Sequence, residues 1–121
     1  MKHLGIALCI FVAIQHVAFM VLEMFYWTKP LGRKIFRRSE ADAMSSAGLA
    51  KNQGLYNGFL AAGILYALYV YDVRFLEFFL GCVVVAGIYA ALTVNKRIFF
   101  VQGIPALAAA VVVCLASRSA P

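Results

Sequence analysis

Four long apolar stretches set the limits on what this chain can fold into. Leu4 to Trp27 is interrupted only by Gln15, His16 and Glu23. Leu55 to Tyr71 carries Asn57 and several tyrosines, and reaches full spanning length when Asn52 and Gln53 join the same helix. Phe75 to Val94 holds one acid, Glu77, near its start, and Ile98 to Ala116 holds Gln102 and Pro105. Each is close to the ~20 residues that cross a ~30 Å hydrocarbon core at ~1.5 Å per residue. None alternates with the period of two that a barrel strand would show. With 121 residues, 64% hydrophobic and 13% charged, the chain is far more apolar than a soluble domain, where about half is apolar and about a quarter charged. A disordered tail, a collagen-like fibre, a disulfide mini-protein and a large two-domain enzyme are excluded. The expectation is an all-α membrane protein, a single domain over 1–121, with four antiparallel transmembrane helices in an up-down bundle. The spans are placed at 4–27, 52–71, 75–94 and 98–116, with a basic loop at 28–51. The first run is too long for a secretory core and lacks a small-residue cleavage site, so it reads as a retained span.

Orientation follows from the cations in the connections. Lys29, Arg33, Lys34, Arg37, Arg38 and Lys51 lie between spans one and two, and Lys96 and Arg97 between spans three and four. The other side holds only Lys2, Arg74 and Arg118. Both basic loops are therefore expected in the cytoplasm and both termini outside. The net charge of +6 reads as a topology signal with attraction to anionic lipid, not as nucleic-acid binding, because no recognition motif accompanies it. Asp72-Val73-Arg74 and Asn95-Lys96-Arg97 read as tight turns. After Lys29-Pro30 the long loop is expected to hold an interfacial helical turn, with Leu31, Ile35 and Phe36 towards lipid and the basic residues towards phosphate. Ser39 and Asp42 resemble a capping box and predict a short helix through Ala47, closed by Gly48. Tyr26, Trp27, Tyr69 and Tyr71 read as interfacial belts.

Polar groups within apolar spans need a reason to be there. Glu23 lies ~6 Å inside the cytoplasmic end of span one. Asn52, Gln53, Tyr56 and Asn57 open span two from the same side, Tyr89 and Thr93 close span three there, and Gln102 enters span four at similar depth. At ~100° per residue Glu23 is ~20° from His16, and the span-two group covers an arc of ~140°. These faces are expected to converge on an inner-leaflet cavity with Glu23 at its mouth and His16 at its floor. The candidate ligand-binding or proton-exchanging residues are thus Glu23, His16, Asn52, Gln53, Tyr56, Asn57, Tyr89 and Gln102. Each has an architectural alternative: a snorkelling or helix-pinning Glu23, an interhelical His16, an Asn52-Gln53 pair that satisfies backbone donors. Gly54, Gly58 and Ala62 form a small-residue stripe that reads first as close helix packing, with a homodimer through Gly54 and Gly58 as the alternative. Cys9, Cys82 and Cys114 read as buried apolar thiols. No metal, cofactor or nucleotide motif is present, and no metal site or cofactor is expected.

The run Asn52-Gln53-Gly54-Leu55-Tyr56-Asn57-Gly58-Phe59-Leu60-Ala61-Ala62-Gly63, with His16 and Leu22-Glu23-Met24-Phe25, resembles a family of small bacterial membrane proteins catalogued as domain of unknown function thirteen-oh-four. Cys82-Val83-Val84-Val85-Ala86-Gly87-Ile88-Tyr89 and Gln102-Gly103-Ile104-Pro105 are similar to it as well. The resemblance covers nearly the whole chain. It implies a four-helix protein of the bacterial plasma membrane, and it assigns no activity and no catalytic residue. A looser architectural likeness is to the small multidrug resistance transporters, which also carry one embedded Glu in the first span; here Glu23 lies near the inner end and the first loop is long and basic. Three function classes remain in view. They are a protein that binds or transports a small apolar or cationic molecule or lipid at Glu23, a structural or accessory membrane subunit, and an intramembrane enzyme using Glu23 or His16 as acid or base with Tyr56 or Tyr89 as orienting donor.

Overall fold

The structure, a computed structural model, describes residues 2–119, and these are helical throughout apart from short connections. Helix α1 covers Lys2–Val21 and runs into a π turn at Leu22–Tyr26; α2 follows at Pro30–Phe36, α3 at Glu40–Tyr69 and α4 at Val73–Thr93. A second π turn, Phe99–Gly103, continues directly into α5, Ile104–Arg118. Among the described residues three helical segments are long and apolar enough to cross a membrane: Lys2–Tyr26, Val73–Thr93 and Phe99–Arg118. The stretch read as the second span lies inside α3, whose 30 residues extend ~45 Å. Asn52, Gln53 and Asn57 dilute its apolar run, which keeps α3 out of that group.

The start of α3 differs from expectation. Ser39 does cap it, its Oγ accepting the Asp42 N–H at 3.1 Å, but the helix does not end at Gly48. A glycine inside a helix costs only about 1 kcal/mol, and the flanking Ala47, Leu49 and Ala50 are good helix formers that carry it through. The basic loop at 28–51 is therefore largely helical, being α2 plus the first three turns of α3.

The chain divides into two compact units, residues 14–61 and the remainder, and the division falls inside α1 and inside α3. In unit 14–61, α3 buries Ala43, Ala50, Gly54, Asn57 and Ala61, with Ala47 half-buried between the first two. This is a 3.5-residue repeat, the narrow seam of left-handed helix packing, built from small side chains that allow close backbone approach. A Cβ on Gly54 would stand 2.8 Å from Met24 Cγ and 3.1 Å from both Glu23 Cβ and the Met20 carbonyl oxygen, and one on Gly58 would stand 2.6 Å from Met20 Sδ. The small-residue stripe at Gly54 and Gly58 thus makes the close helix contact expected of it, with Met20 and Met24 of the same chain. Proline at the first position starts α2, and Arg37 in the left-handed conformation (φ 52°) ends it. Gly32 abuts the backbone of Tyr26 and Trp27 so closely that no side chain fits between.

In the other unit α4 buries Leu76, Leu80, Val83 and Gly87, again at alternating steps of four and three. Gly87 meets Gly103, whose Cα would lie 3.0 Å from an added Cβ, and α5 buries Ala106, Ala109 and Val113. The two tight turns fall slightly earlier than expected, at 70–72 and 94–96, so that Val73 and Arg74 already belong to α4. Tyr71 takes the left-handed conformation (φ 55°), Asp72 N–H reaches back to Ala67 O at 3.0 Å, and Asp72 Oδ1 caps α4 by accepting from Arg74 N (2.9 Å) and Phe75 N (3.2 Å). Asn95 Oδ1 accepts from Arg97 N at 2.9 Å.

Candidate functional site

The site is built where the end of α1 meets α3 within unit 14–61. Along α1 the buried positions Gly5, Cys9, Val12, Ala13 and His16 recur at helical spacing, and the π turn then takes over. A π turn holds more residues per turn than an α-helix and occurs frequently at functional sites. It keeps Glu23 directed at α3, next to Met24 and Gly54. Glu23 is 4% exposed. Gln53 Nε2 donates to its Oε1 at 3.0 Å and Asn57 Nδ2 donates to its Oε2 at 2.8 Å. Gln53 and Asn57 are four residues apart and hence ~40° apart on one face of α3. Gly54 beside them has no side chain to hold the two helices apart.

The two donors are not equivalent. Asn57 is buried in the seam, whereas Gln53 sits at its edge and is exposed. One carboxyl oxygen is therefore fixed by a packed amide, and the other is covered by an amide that can swing into its surroundings. Hydrogen bonds between helices in a membrane contribute about 0.6 kcal/mol on average and about 1.7 kcal/mol at most. That is enough to orient a side chain and small enough for a ligand to displace the exposed partner.

His16 is fully buried, its ring edge-on to Phe19 with centroids 5.6 Å apart. Asn52 is exposed, and Tyr56 is 58% exposed with its ring edge-on to Phe59 at 5.7 Å. Both lie ~100° from their neighbours Gln53 and Asn57, outside the narrow seam. The predicted 140° arc was too wide, and only Gln53 and Asn57 of that group reach Glu23. Tyr89 and Gln102 belong to the other unit. Tyr89 is largely exposed and its carbonyl accepts from Thr93 Oγ1 at 2.8 Å, while Gln102 is half-buried in the second π turn. A shallow, open groove along α4, lined by Glu77, Gly81, Cys82, Val85 and Tyr89 among others, shares only Tyr89 with the predicted set. The described residues hold no group of three or more His, Cys, Asp or Glu side chains that could bind a metal ion.

Two features escaped the sequence reading. The π turns at Leu22–Tyr26 and Phe99–Gly103 share no signature in residue type. The fixing of Trp27 by Ser46, Nε1 to Oγ at 3.0 Å, joins positions nineteen residues apart that no periodicity links.

Residues 10–114 match the family described as "Protein of unknown function (DUF1304)". The chain is similar to the "Uncharacterized protein YpaA" of Lactococcus lactis subsp. lactis (strain IL1403), with 31% identity over a 107-residue alignment that covers 85% of this chain and 90% of that protein. No solved structure matches. With the whole Glu23–Gln53–Asn57 constellation inside the matched region, the chain belongs to the DUF1304 family.

Proposed function

We propose that the protein is an integral membrane protein that binds a small cationic or hydrogen-bond-donating molecule at Glu23, reached past Gln53. The observation that carries this reading is the asymmetry of the clasp: a carboxyl 4% exposed, one oxygen held by buried Asn57 and the other covered by exposed Gln53. An acid within a span is a functional candidate by default, and a π turn at the same residue supports the assignment. In this proposal α3 is the fourth crossing, both termini face outward, and Glu23 lies in the inner leaflet. Translocation would be one use of such a site, with Gln53 as its movable cover.

A second reading, a structural or accessory subunit, is favoured by one specific observation: both Glu23 oxygens already accept hydrogen bonds from this chain. An acid–base enzyme is the weakest of the three, because its orienting donor Tyr56 is turned outward beside Phe59. Native mass spectrometry of the gently extracted protein, wild type against Glu23→Gln, separates the first two. A discrete co-purified mass present in the wild type and lost in the variant supports the binding site and gives the ligand class. Two adduct-free spectra with equal thermal stability of the proteins count against it. Two adduct-free spectra with a destabilised variant point to the structural clasp.

A further inference from the structure

A second locus in unit 14–61 is assembled independently of Glu23. Helix α2 packs its inner face, Gly32 and Phe36, onto the end of the π turn. Gly32 lies against the Tyr26 and Trp27 backbone, and the Phe36 ring lies on Trp27 with centroids 4.8 Å apart. Trp27 is tied to α3 through Ser46. This short helix is thus fixed to its surroundings by several contacts, and its outer face is fixed with it. That outer face is amphipathic. Leu31 and Ile35, one turn apart, are 51% and 50% exposed, and Lys34 stands beside them, also exposed. Lys29, Arg37 and Arg38 flank the helix and are exposed. Lys29 Nζ lies over the Tyr26 ring at 5.1 Å and the Arg38 guanidinium over the Trp27 ring at 5.8 Å. Phe36, expected to face lipid, is instead half-buried on Trp27.

The charge does not cancel locally. Arg33 pairs with Glu40 at 3.6 Å, which leaves Lys29, Lys34, Arg37 and Arg38 around two exposed aliphatic side chains. Exposed apolar side chains beside a ring of cations, next to an aromatic pair at the end of a span, form the pattern of a bilayer interface with anionic headgroups. We propose that α2 and its flanks are an anionic-phospholipid site. Leu31 and Ile35 enter the acyl region, Lys34 and Arg37 meet the headgroup phosphates from the helix, and Lys29 and Arg38 close the ring from the aromatic side. Occupation of this site holds the end of α1, and with it the π turn, at a fixed depth.

Trp27 is the only tryptophan in the chain and sits under the site, so its fluorescence reports directly. The full-length protein is reconstituted in phosphatidylcholine vesicles carrying equal fractions of brominated phosphatidylglycerol or brominated phosphatidylcholine, and quenching of Trp27 is followed against brominated fraction. The expected result is a preference for phosphatidylglycerol of about fivefold or more at low salt, the scale of one cation at an anionic surface, shrinking as ionic strength rises. The double variant Lys34→Gln/Arg37→Gln, which alters neither the Trp27 stack nor its bond to Ser46, is expected to lose most of that preference while phosphatidylcholine still quenches. Equal quenching by the two lipids in the wild type at low salt overturns the proposal without any variant being needed. A preference that survives unchanged in the double variant overturns it too, because the anionic lipid would then be drawn by other charges.

Discussion

At the scale of single residues, neighbouring positions on α3 with similar side chains carry opposite structural weight. Gly54 and Gly48 are both glycines within α3, yet a Cβ at Gly54 would strike the Met20 carbonyl and Glu23 Cβ at 3.1 Å, whereas at Gly48 it would meet nothing within 4 Å. Gly54→Ala is therefore expected to destabilise by about 1–3 kcal/mol through overpacking, and Gly48→Ala to stabilise by up to about 1 kcal/mol through helix propensity alone. Unfolding midpoints in detergent, measured side by side, check both signs. The two amides that hold Glu23 should separate in the same way. Asn57→Ala strands a carboxyl oxygen in a buried place and is expected to cost about 1–2 kcal/mol. Gln53→Ala leaves an oxygen that a solvent or ligand donor can reach, and is expected to cost under about 0.5 kcal/mol. Equal losses in the same unfolding assay would contradict the distinction between a fixed and a replaceable donor.

At the scale of elements, the chain uses glycine where backbones must touch. Gly32 is the clearest instance: an added Cβ would lie 2.6 Å from the Tyr26 carbonyl carbon and 3.1 Å from Trp27 Cα, and both are backbone atoms with no rotamer to yield. Gly32→Ala is expected to lift α2 off the π turn, unstack Phe36 from Trp27 and shift the Trp27 emission, while α3, α4 and α5 keep their helicity by circular dichroism. Each π turn also coincides with a glycine contact. Leu22–Tyr26 lies against Gly54, and Phe99–Gly103 brings Gly103 to Gly87. Periodicity in the sequence located α4 to within two residues at either end, because its apolar run is bounded by Asp72 and Asn95, both of which form turns. The stop expected at Gly48 is absent because a helix ends only when the energies of a whole turn favour ending, and Ala47, Leu49 and Ala50 favour continuing.

At the scale of the whole molecule, the fate of α3 decides the topology. Three crossings would leave the termini on opposite sides, whereas four place them on the same side. The basic residues at 29–51 and at Lys96 and Arg97 share a side only if α3 crosses. With α3 crossing, cysteines placed at Lys34 and Lys96 in a cysteine-free background are expected to react with an impermeant thiol reagent only after the membrane is opened, and one placed at Arg74 to react in intact cells. A split between Lys34 and Lys96 would show that α3 lies on one side and would withdraw the inner-leaflet placement of Glu23.

The sequence by itself determined the helical class, the three strongly apolar helices, the short connections around Asp72 and Asn95, and the interest of Glu23, since each follows from local composition and spacing. It placed Gln53 and Asn57 at the depth of Glu23, but on equal terms with Asn52, Tyr56, Tyr89 and Gln102 from three helices. Only the tertiary structure decided which polar residues touch. A seam with a 3.5-residue repeat takes about one side chain per turn, so Asn57 within it and Gln53 at its edge beside Gly54 reach the carboxyl, while Asn52 and Tyr56, one residue earlier in each case, are rotated out. The π turn, the tie from Trp27 to Ser46 and the filling of the Gly54/Gly58 face by Met20 and Met24 belong to that same level. They depend on how two distant segments fit against each other, and no periodicity within either segment records that fit.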